Sequence, residues 1–212
     1  VLQGLCRNPL VDPGLIGVSS GAALGAALFI VLVPGAGPLE VYALPLFAFL
    51  GGLLATLLLW RIAKTPWGVQ VLVLLLAGIA LNALVGAGIG LLTFLATEEE
   101  LRSLTFWTLG GFSALTWRLL LVGVPFAFLA FALLLPLARP LHALALGERE
   151  AFHLGIDLER LKRRAVAGAA LGVGVAVALA GGVGFLGLVA PHLFRLLAGP
   201  DHRYLLPGSA LL

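Results

Sequence analysis

Five long stretches of this 212-residue chain contain no Asp, Glu, Lys or Arg. They cover residues 15–33, 41–60, 65–97, 119–138 and 165–194. A helix that crosses a bilayer needs about 20 mainly apolar residues, because the hydrocarbon core is about 30 Å thick. Each stretch can supply such a helix, so the sequence predicts an all-α, polytopic membrane protein.

The overall composition excludes the main classes of soluble protein. Hydrophobic residues make up 61% of the chain and charged residues 11%, whereas a soluble domain has about 25% charged residues. The single cysteine, Cys6, rules out a disulfide scaffold. The chain also contains no methionine, even at position 1, and we therefore expect it to be a fragment of a longer chain.

The charged residues between the stretches predict the topology. Two of the connections between stretches are poor in basic residues: residues 34–40 contain no Lys or Arg, and residues 98–118 contain only Arg102 and Arg118. The other Lys and Arg residues lie before the first stretch and after the second, fourth and fifth stretches, so the two kinds of connection alternate along the chain. Basic loops are usually cytoplasmic, so the loop that contains Glu98, Glu99 and Glu100 is predicted to be external. If the segment after residue 194 is also cytoplasmic, residues 165–194 form two short helices that meet near residues 181–184 instead of one long span. The net charge of +3 then reflects topology and not nucleic-acid binding.

Small residues recur at a spacing of four along three of the predicted helices. They are Gly21 and Gly25, Gly168 and Gly172, and the series Gly78, Asn82, Gly86 and Gly90. Such spacing lets helix backbones approach closely and is most often a packing feature. The Asn82 series also allows a second interpretation, in which it lines a pathway, because a polar side chain in mid-span usually faces protein or water.

Two short motifs match enzyme signatures but lack the required context. Residues 17–21 fit G-x-S-x-G, and residues 182–187 fit G-x-G-x-x-G. The first needs a strand-to-helix turn in a soluble α/β sheet, and the second must follow a strand, whereas both lie in apolar helical stretches. The sequence has no G-x-x-x-x-G-K-[ST] phosphate loop and no Cys/His spacing typical of a metal site.

The 23 residues from 142 to 164 are longer than a simple connection. Apolar and charged residues alternate there in a way that predicts one or two short amphipathic helices, separated by Gly147 and Gly155. Such helices either lie on the membrane surface or form a docking element for a cytoplasmic partner. The spacing alone does not choose between these interpretations.

Four segments, taken in order, carry a resemblance to a known family. They are RNPLVDPGLIGVSSGA at residues 7–22, GGFS at 110–113 with Trp117, ALGE at 145–148 continuing to Gly155, and VALAGGVGFLGLVAPH at 177–192 followed by GPDHR at 199–203. Together they resemble the permease subunits of type II ABC importers for iron–siderophore complexes, haem and cobalamin, the FecCD family.

The resemblance implies a single transmembrane permease domain over residues 1–212, as part of a ten-helix fold. The first helix, most of the second, the end of the ninth and the tenth would be missing. The resemblance also favours the two-helix interpretation of residues 165–194 and places a short external helix at residues 97–109.

The same resemblance implies three functional regions. A cytoplasmic coupling segment at about residues 142–158 would dock into the ATPase subunit. Its candidate residues are Leu144, Ala145, Leu146, Gly147, Glu148, Ala151 and Leu154. A translocation pathway near a dimer axis would use Asn82, Gly86 and Gly90, and Arg102 is a candidate contact for a binding protein.

The partners implied are a second permease copy or a paired homologous half, two cytoplasmic ATPase subunits that use Mg-ATP, an extracytoplasmic substrate-binding protein and membrane lipid. The chain itself would not be an enzyme and would have no catalytic residue, bound cofactor or metal. It would move a metal chelate across a bacterial cytoplasmic membrane by alternating access. Iron–siderophore, haem and cobalamin cargoes all fit.

Two other functions compete with this one. An ion-gradient-driven secondary transporter also uses broken helices, but it usually needs ionisable groups in mid-membrane, where this chain offers only His192. An intramembrane hydrolase would have to use Ser19 or Ser20, without the partners that such a serine requires.

Overall fold

The structure is a computed structural model that describes residues 1–33, 37, 40–66 and 68–211. Most of these residues form α-helices. In chain order the helices are α1 (Leu2–Leu5), α2 (Val18–Leu32), α3 (Glu40–Ala63), α4 (Val71–Leu95), α5 (Glu98–Leu109), α6 (Trp117–Leu134), α7 (Ala138–Leu144), α8 (Glu148–His153), α9 (Leu158–Ala180), α10 (Leu186–Ala198) and α11 (His202–Leu211). The strands β1 (Lys64–Thr65) and β2 (Gly68–Val69) form a small antiparallel hairpin between α3 and α4.

Among the described residues, four helical segments are long and apolar enough to cross a membrane. They are α3, α4, the continuous stretch Trp117–Leu144 and α9. These segments confirm the predicted all-α, polytopic fold. The predicted external loop at residues 34–40 lies largely outside the described residues.

The helix predicted from residues 15–33 is shorter than the charge-free run suggested. Residues Pro13–Ile16 form a separate 3-10 turn, and α2 begins only at Val18. Gly17, with a φ of 78°, redirects the chain between the two elements. With 15 residues, α2 is about 22 Å long, which is less than the apolar thickness of a bilayer.

The apolar run at residues 165–194 is interrupted at the predicted place. Helix α9 ends at Ala180, and α10 begins at Leu186. The break is confirmed, but the first helix is not short: α9 has 23 residues, because the charged residues from Leu158 onward continue the same helix. A charge-free run marks only the apolar part of a helix, so it misplaces the start of α9.

The short helix predicted near residues 97–109 is confirmed as α5. Its first turn has a capping box, in which the Thr97 backbone N–H donates to Glu100 Oε2 over 2.8 Å and Glu100 N–H donates to Thr97 Oγ1 over 3.4 Å. Each of these bonds satisfies a donor that the start of a helix would leave unpaired. The helix ends at Gly110, which has a φ of 69°.

The chain divides into two compact units. The first unit comprises Val1–Pro13, Phe128–Ala169 and Gly184–Leu212, and the second comprises Gly14–Ala127 and Ala170–Val183. The first unit contains α7, α8, α10 and α11 and buries several leucines completely or almost so. These are Leu5, Leu137, Leu141, Leu144, Leu161 and Leu205.

Close backbone packing at glycines holds the second unit together. A Cβ atom added at Gly21 would collide with the Gly51 carbonyl oxygen, and one at Gly25 would collide with the Phe47 carbonyl oxygen. Helices α2 and α3 therefore touch backbone to backbone. This confirms the packing interpretation of the Gly21 and Gly25 pair.

A second glycine junction joins the end of α5 to the end of α9 within the second unit. The Gly111 N–H donates to the Ala180 carbonyl over 2.7 Å, and the Gly182 N–H donates to the Trp107 carbonyl over 3.1 Å. Gly181 has a φ of 73°, and a Cβ atom there would collide with the Trp107 carbonyl oxygen. These backbone bonds give partners to groups at the break between α9 and α10 that would otherwise be unpaired.

We expect the substitution Gly181→Ala to destabilise the protein. The left-handed conformation costs an alanine about 1–2 kcal/mol, and the collision with Trp107 adds to this. The thermal unfolding midpoint of the purified protein in detergent should fall by about 5 °C or more. Gly184→Ala is the matched control, because a Cβ atom there would meet no described atom within 4 Å. Equal midpoints for the two variants would contradict the junction.

Candidate functional site

The predicted coupling segment consists of two short helices bounded by glycines. Helix α7 ends at Leu144, and α8 runs from Glu148 to His153. Gly147 has a φ of 135° and Gly155 a φ of 80°, conformations that side-chain-bearing residues rarely adopt. The prediction of one or two short helices separated by these glycines is confirmed.

Six of the seven candidate coupling residues are either buried or exposed in the structure. Leu144, Gly147 and Ala151 are buried within the first unit. Ala145, Leu146 and Leu154 are exposed. Only the exposed residues can contact a partner directly, while the buried ones hold the segment in place.

One exposed apolar residue was not among the candidates. Phe152 lies in α8 and is 68% exposed, compared with 71% for Leu146 and 64% for Leu154. Large apolar side chains exposed at the edge of a unit often mark an interaction site. The signal was available in the sequence as an aromatic residue within a short, charged helix.

Glu148, the remaining candidate, makes an ion pair that spacing did not reveal. Its Oε1 atom lies 2.8 Å from Lys162 Nζ, and the Lys162 side chain is only 10% exposed. Lysine is rarely buried unless it is paired. The ion pair therefore attaches the start of α8 to the first turns of α9 within the first unit.

His142, at the start of this segment, lies beside His202 of α11 within the first unit. The rings of His142 and His202 are 6.2 Å apart in an edge-to-face arrangement. Burial is the main cause that lowers the pKa of His202 to about 4, and nearby positive charges that include Arg195 lower it further. His202 is therefore uncharged at neutral pH. Arg195 also donates a hydrogen bond to Gln3 Oε1.

The predicted pathway residues lie on α4 in two different environments. Asn82 Nδ2 donates to the Gly14 carbonyl over 3.2 Å, and Asn82 Oδ1 accepts from Ser20 Oγ over 2.6 Å. Gly86 and Gly90 are exposed, and a Cβ atom at either would meet no described atom within 4 Å. The two glycines therefore leave a smooth, open strip on α4.

Arg102 is exposed on α5, while Leu104 of the same helix packs with Ala27 and Leu92. His192 is exposed on α10. The described residues contain no group of three or more His, Cys, Asp or Glu side chains that could hold a metal ion.

Comparison with known proteins identifies the family. The sequence profile of the FecCD transport family matches residues 1–212. The chain belongs to the FecCD transport family. The resemblance stated from the four sequence segments is therefore confirmed.

Named relatives of this FecCD chain extend the comparison. It is 44% identical to the hemin transport system permease protein HmuU of Yersinia pestis, over 100% of this chain and 63% of that protein. It is 39% identical to the cobalamin import system permease protein BtuC of Halobacterium salinarum, over 100% of this chain and 56% of that protein. The chain thus spans about six tenths of the length of these relatives.

A solved structure has the same fold. It is an inward-facing conformation of an ABC transporter assigned to the metal-chelate type, and it matches with a TM-score of 0.88 and 36% sequence identity. The match covers 99% of this chain and 66% of the other. The FecCD chain therefore has the helical fold of an ABC transporter permease.

We expect Glu148→Gln to weaken the attachment of α8 to α9 in this FecCD chain. Removing the carboxylate takes a counter-charge from a nearly buried lysine, which should cost about 1–2 kcal/mol because Glu148 itself is half-exposed. Thermal unfolding in detergent measures the loss. Arg160→Gln is the matched control, because it removes the exposed ion pair with Asp157 and should cost about 0.5 kcal/mol or less. A Glu148→Gln variant as stable as the control would contradict the role of the pair.

Proposed function

We propose that the chain is the membrane-spanning part of an ABC importer permease that moves a metal chelate into the cell. Membership of the FecCD family over the whole chain is the observation that carries this proposal. Relatives named for hemin and cobalamin transport support a cargo that is a large, rigid metal chelate. Iron–siderophore, haem and cobalamin remain the three candidate cargoes.

The permease would act without making or breaking bonds in its cargo. Two cytoplasmic ATPase subunits would hydrolyse Mg-ATP, and an extracytoplasmic binding protein would deliver the chelate to a dimer of permeases. Transport would follow alternating access across the cytoplasmic membrane of a bacterium, in contact with its lipids. ATP binding can drive this cycle only through contacts that differ between the two packed states.

The coupling segment at about residues 142–158 is the proposed contact with the ATPase. Exposed Leu146, Phe152 and Leu154 offer an apolar surface. This surface is fixed to the rest of the first unit by the buried residues Leu144 and Ala151 and by the ion pair between Glu148 and Lys162. A rigid apolar surface can transmit force, whereas a mobile loop would absorb it.

Two further regions complete the proposal. The open strip at Gly86 and Gly90, with Asn82 one turn before it, would line the pathway, where the absence of side chains leaves room for a large cargo. Exposed Arg102 on α5 would help the binding protein to dock by pairing with an acidic group. Both assignments follow from exposure together with family membership.

The first functional test measures cargo uptake by the full-length protein in proteoliposomes. We expect ATP-driven uptake that stops when the partner ATPase carries an inactivating substitution and that persists when a protonophore collapses the proton gradient. Uptake that survives the loss of the ATPase would overturn the proposal and favour an ion-gradient-driven secondary transporter.

The second test concerns the coupling surface. Leu146→Asp places a charge on an exposed apolar residue without disturbing buried packing, so it should lower recovery of the ATPase with the purified permease about tenfold. Phe106→Asp is the matched control, because Phe106 is 68% exposed on α5, which is predicted to face outside. Glu148→Lys and Gly147→Asp should also lower recovery, by displacing α8.

All four variants should still be recovered from the membrane fraction at wild-type levels. If Leu146→Asp leaves recovery of the ATPase unchanged, the coupling assignment is wrong. If it instead detaches the segment from vesicles with no effect on the ATPase, the segment is a membrane-surface helix.

A further inference from the structure

The side chain of Asn82 is an amide in the middle of α4, whose mean hydropathy is 2.4 over its most apolar window. We propose that Asn82 is a positioning residue that, with Ser20, holds the turn at residues 14–17 against α4, so that the turn, the start of α2 and α4 move as one body during transport. We call these contacts the Asn82 latch. The transport role of the latch rests on the proposed function.

The latch uses both ends of the Asn82 amide. The Nδ2 group donates to the Gly14 carbonyl over 3.2 Å, and the Oδ1 atom accepts from Ser20 Oγ over 2.6 Å. The Gly17 carbonyl lies 3.2 Å from Ser20 Oγ as a second acceptor. One side chain of α4 therefore contacts the turn and the first turn of α2 at once.

Backbone contact beside the latch shows that the turn and α4 are fitted together. A Cβ atom at Gly78, one helical turn before Asn82, would collide with the Leu15 carbonyl oxygen. Gly17 has a φ of 78°, and a Cβ atom there would lie 3.2 Å from Leu81 Cδ2 of α4. The backbone of the turn is thus in close contact with α4 at Gly78, one helical turn from the hydrogen bonds of Asn82.

The apolar surroundings make these hydrogen bonds specific for one position of the turn on α4. Asn82 and Ser20 are both partly buried among apolar helices. Removal of Ser20 takes from Asn82 Oδ1 its donor, and removal of Asn82 leaves Ser20 Oγ with only the Gly17 carbonyl of its own segment. Polar contacts between membrane helices act as specific links of this kind, whereas glycine packing alone would allow the turn to slide along α4.

The latch lies between α2 and α4, so it can transmit a displacement of one helix to the other. Helix α2 packs on α3 through Gly21 and Gly25, and α4 carries the open strip at Gly86 and Gly90. A turn that is fixed to α4 would carry any displacement of α2 directly to the proposed pathway helix. Without the latch, the turn would change its own conformation when α2 moves, and α4 would not follow.

The test uses the full-length permease with its ATPase in proteoliposomes. We expect Ser20→Ala and Asn82→Ala each to lower the turnover of ATP-driven cargo uptake about tenfold per folded complex, the effect of losing one partner of a partly buried polar pair. In Ser20→Ala, which leaves the proposed pathway residues in place, the cargo concentration for half-maximal uptake should stay unchanged. Because the two residues act as a unit, the double variant should be no slower than Asn82→Ala alone.

Two further variants control for other causes. Ser20→Thr keeps the hydroxyl donor and should retain most of the uptake. Thr93→Ala removes a hydroxyl from the same helix, but this hydroxyl donates to the Ile89 carbonyl within that helix, so uptake should be unchanged.

Hydrogen–deuterium exchange of the backbone amides in the turn tests the latch independently of transport. The peptide that covers residues 14–17 should exchange about tenfold faster in Ser20→Ala and Asn82→Ala than in wild type or Thr93→Ala, because the opened turn no longer protects its amides. Unchanged exchange would overturn the latch, whatever happens to uptake.

The remaining outcomes also decide the matter. Faster exchange with normal uptake per folded complex would overturn the positioning role and leave only a structural contact. A loss of uptake in Asn82→Ala but not in Ser20→Ala would overturn it in favour of Asn82 as a pathway residue. Wild-type protein that shows no ATP-driven uptake would overturn the proposed function itself, and the transport role of the latch with it, while exchange would still report on the contact.

Discussion

Direct contact between helix backbones is the interaction on which this structure depends. Within a bilayer, apolar side chains gain little by leaving lipid for protein, so helices associate through close packing and polar contacts. Gly21 meets Gly51 across α2 and α3, Gly78 meets the Leu15 carbonyl, and Gly181 meets the Trp107 carbonyl. Each of these contacts brings two backbones closer than any side chain would allow, and each lies where one element begins, ends or crosses another.

The candidate functional regions are built on this framework in different ways. The coupling segment owes its shape to two glycines in conformations that other residues avoid, and its rigidity to buried leucine, buried alanine and one ion pair. The strip on α4 owes its openness to glycines that pack against no described residue. Glycine therefore serves both for contact and for clearance, and only its surroundings distinguish the two uses.

Much of the fold was predictable because lipid imposes a simple rule on sequence. A charge-free run of sufficient length predicts a helix, and α3, α4, α6 and α9 follow the predicted runs. The break after Ala180 was predictable from the glycines there and from the distribution of charge, and helix α5 from the family resemblance. The starts of α2 and α9 were not, because a helix can begin after the apolar run does, as at Val18, or before it, as at Leu158.

By itself, the sequence determined that this is a helical membrane protein and, through four ordered segments, that it belongs with FecCD permeases. It also predicted a coupling segment between two spans. Only the tertiary structure decided which of those residues are exposed, that Lys162 pairs with Glu148 and that Asn82 bonds to Gly14 and Ser20. The composition of a helix and the spacing of its small residues are local properties, so they can be recognised in a single sequence. Contacts between residues far apart along the chain depend on how the helices cross, which no local pattern records.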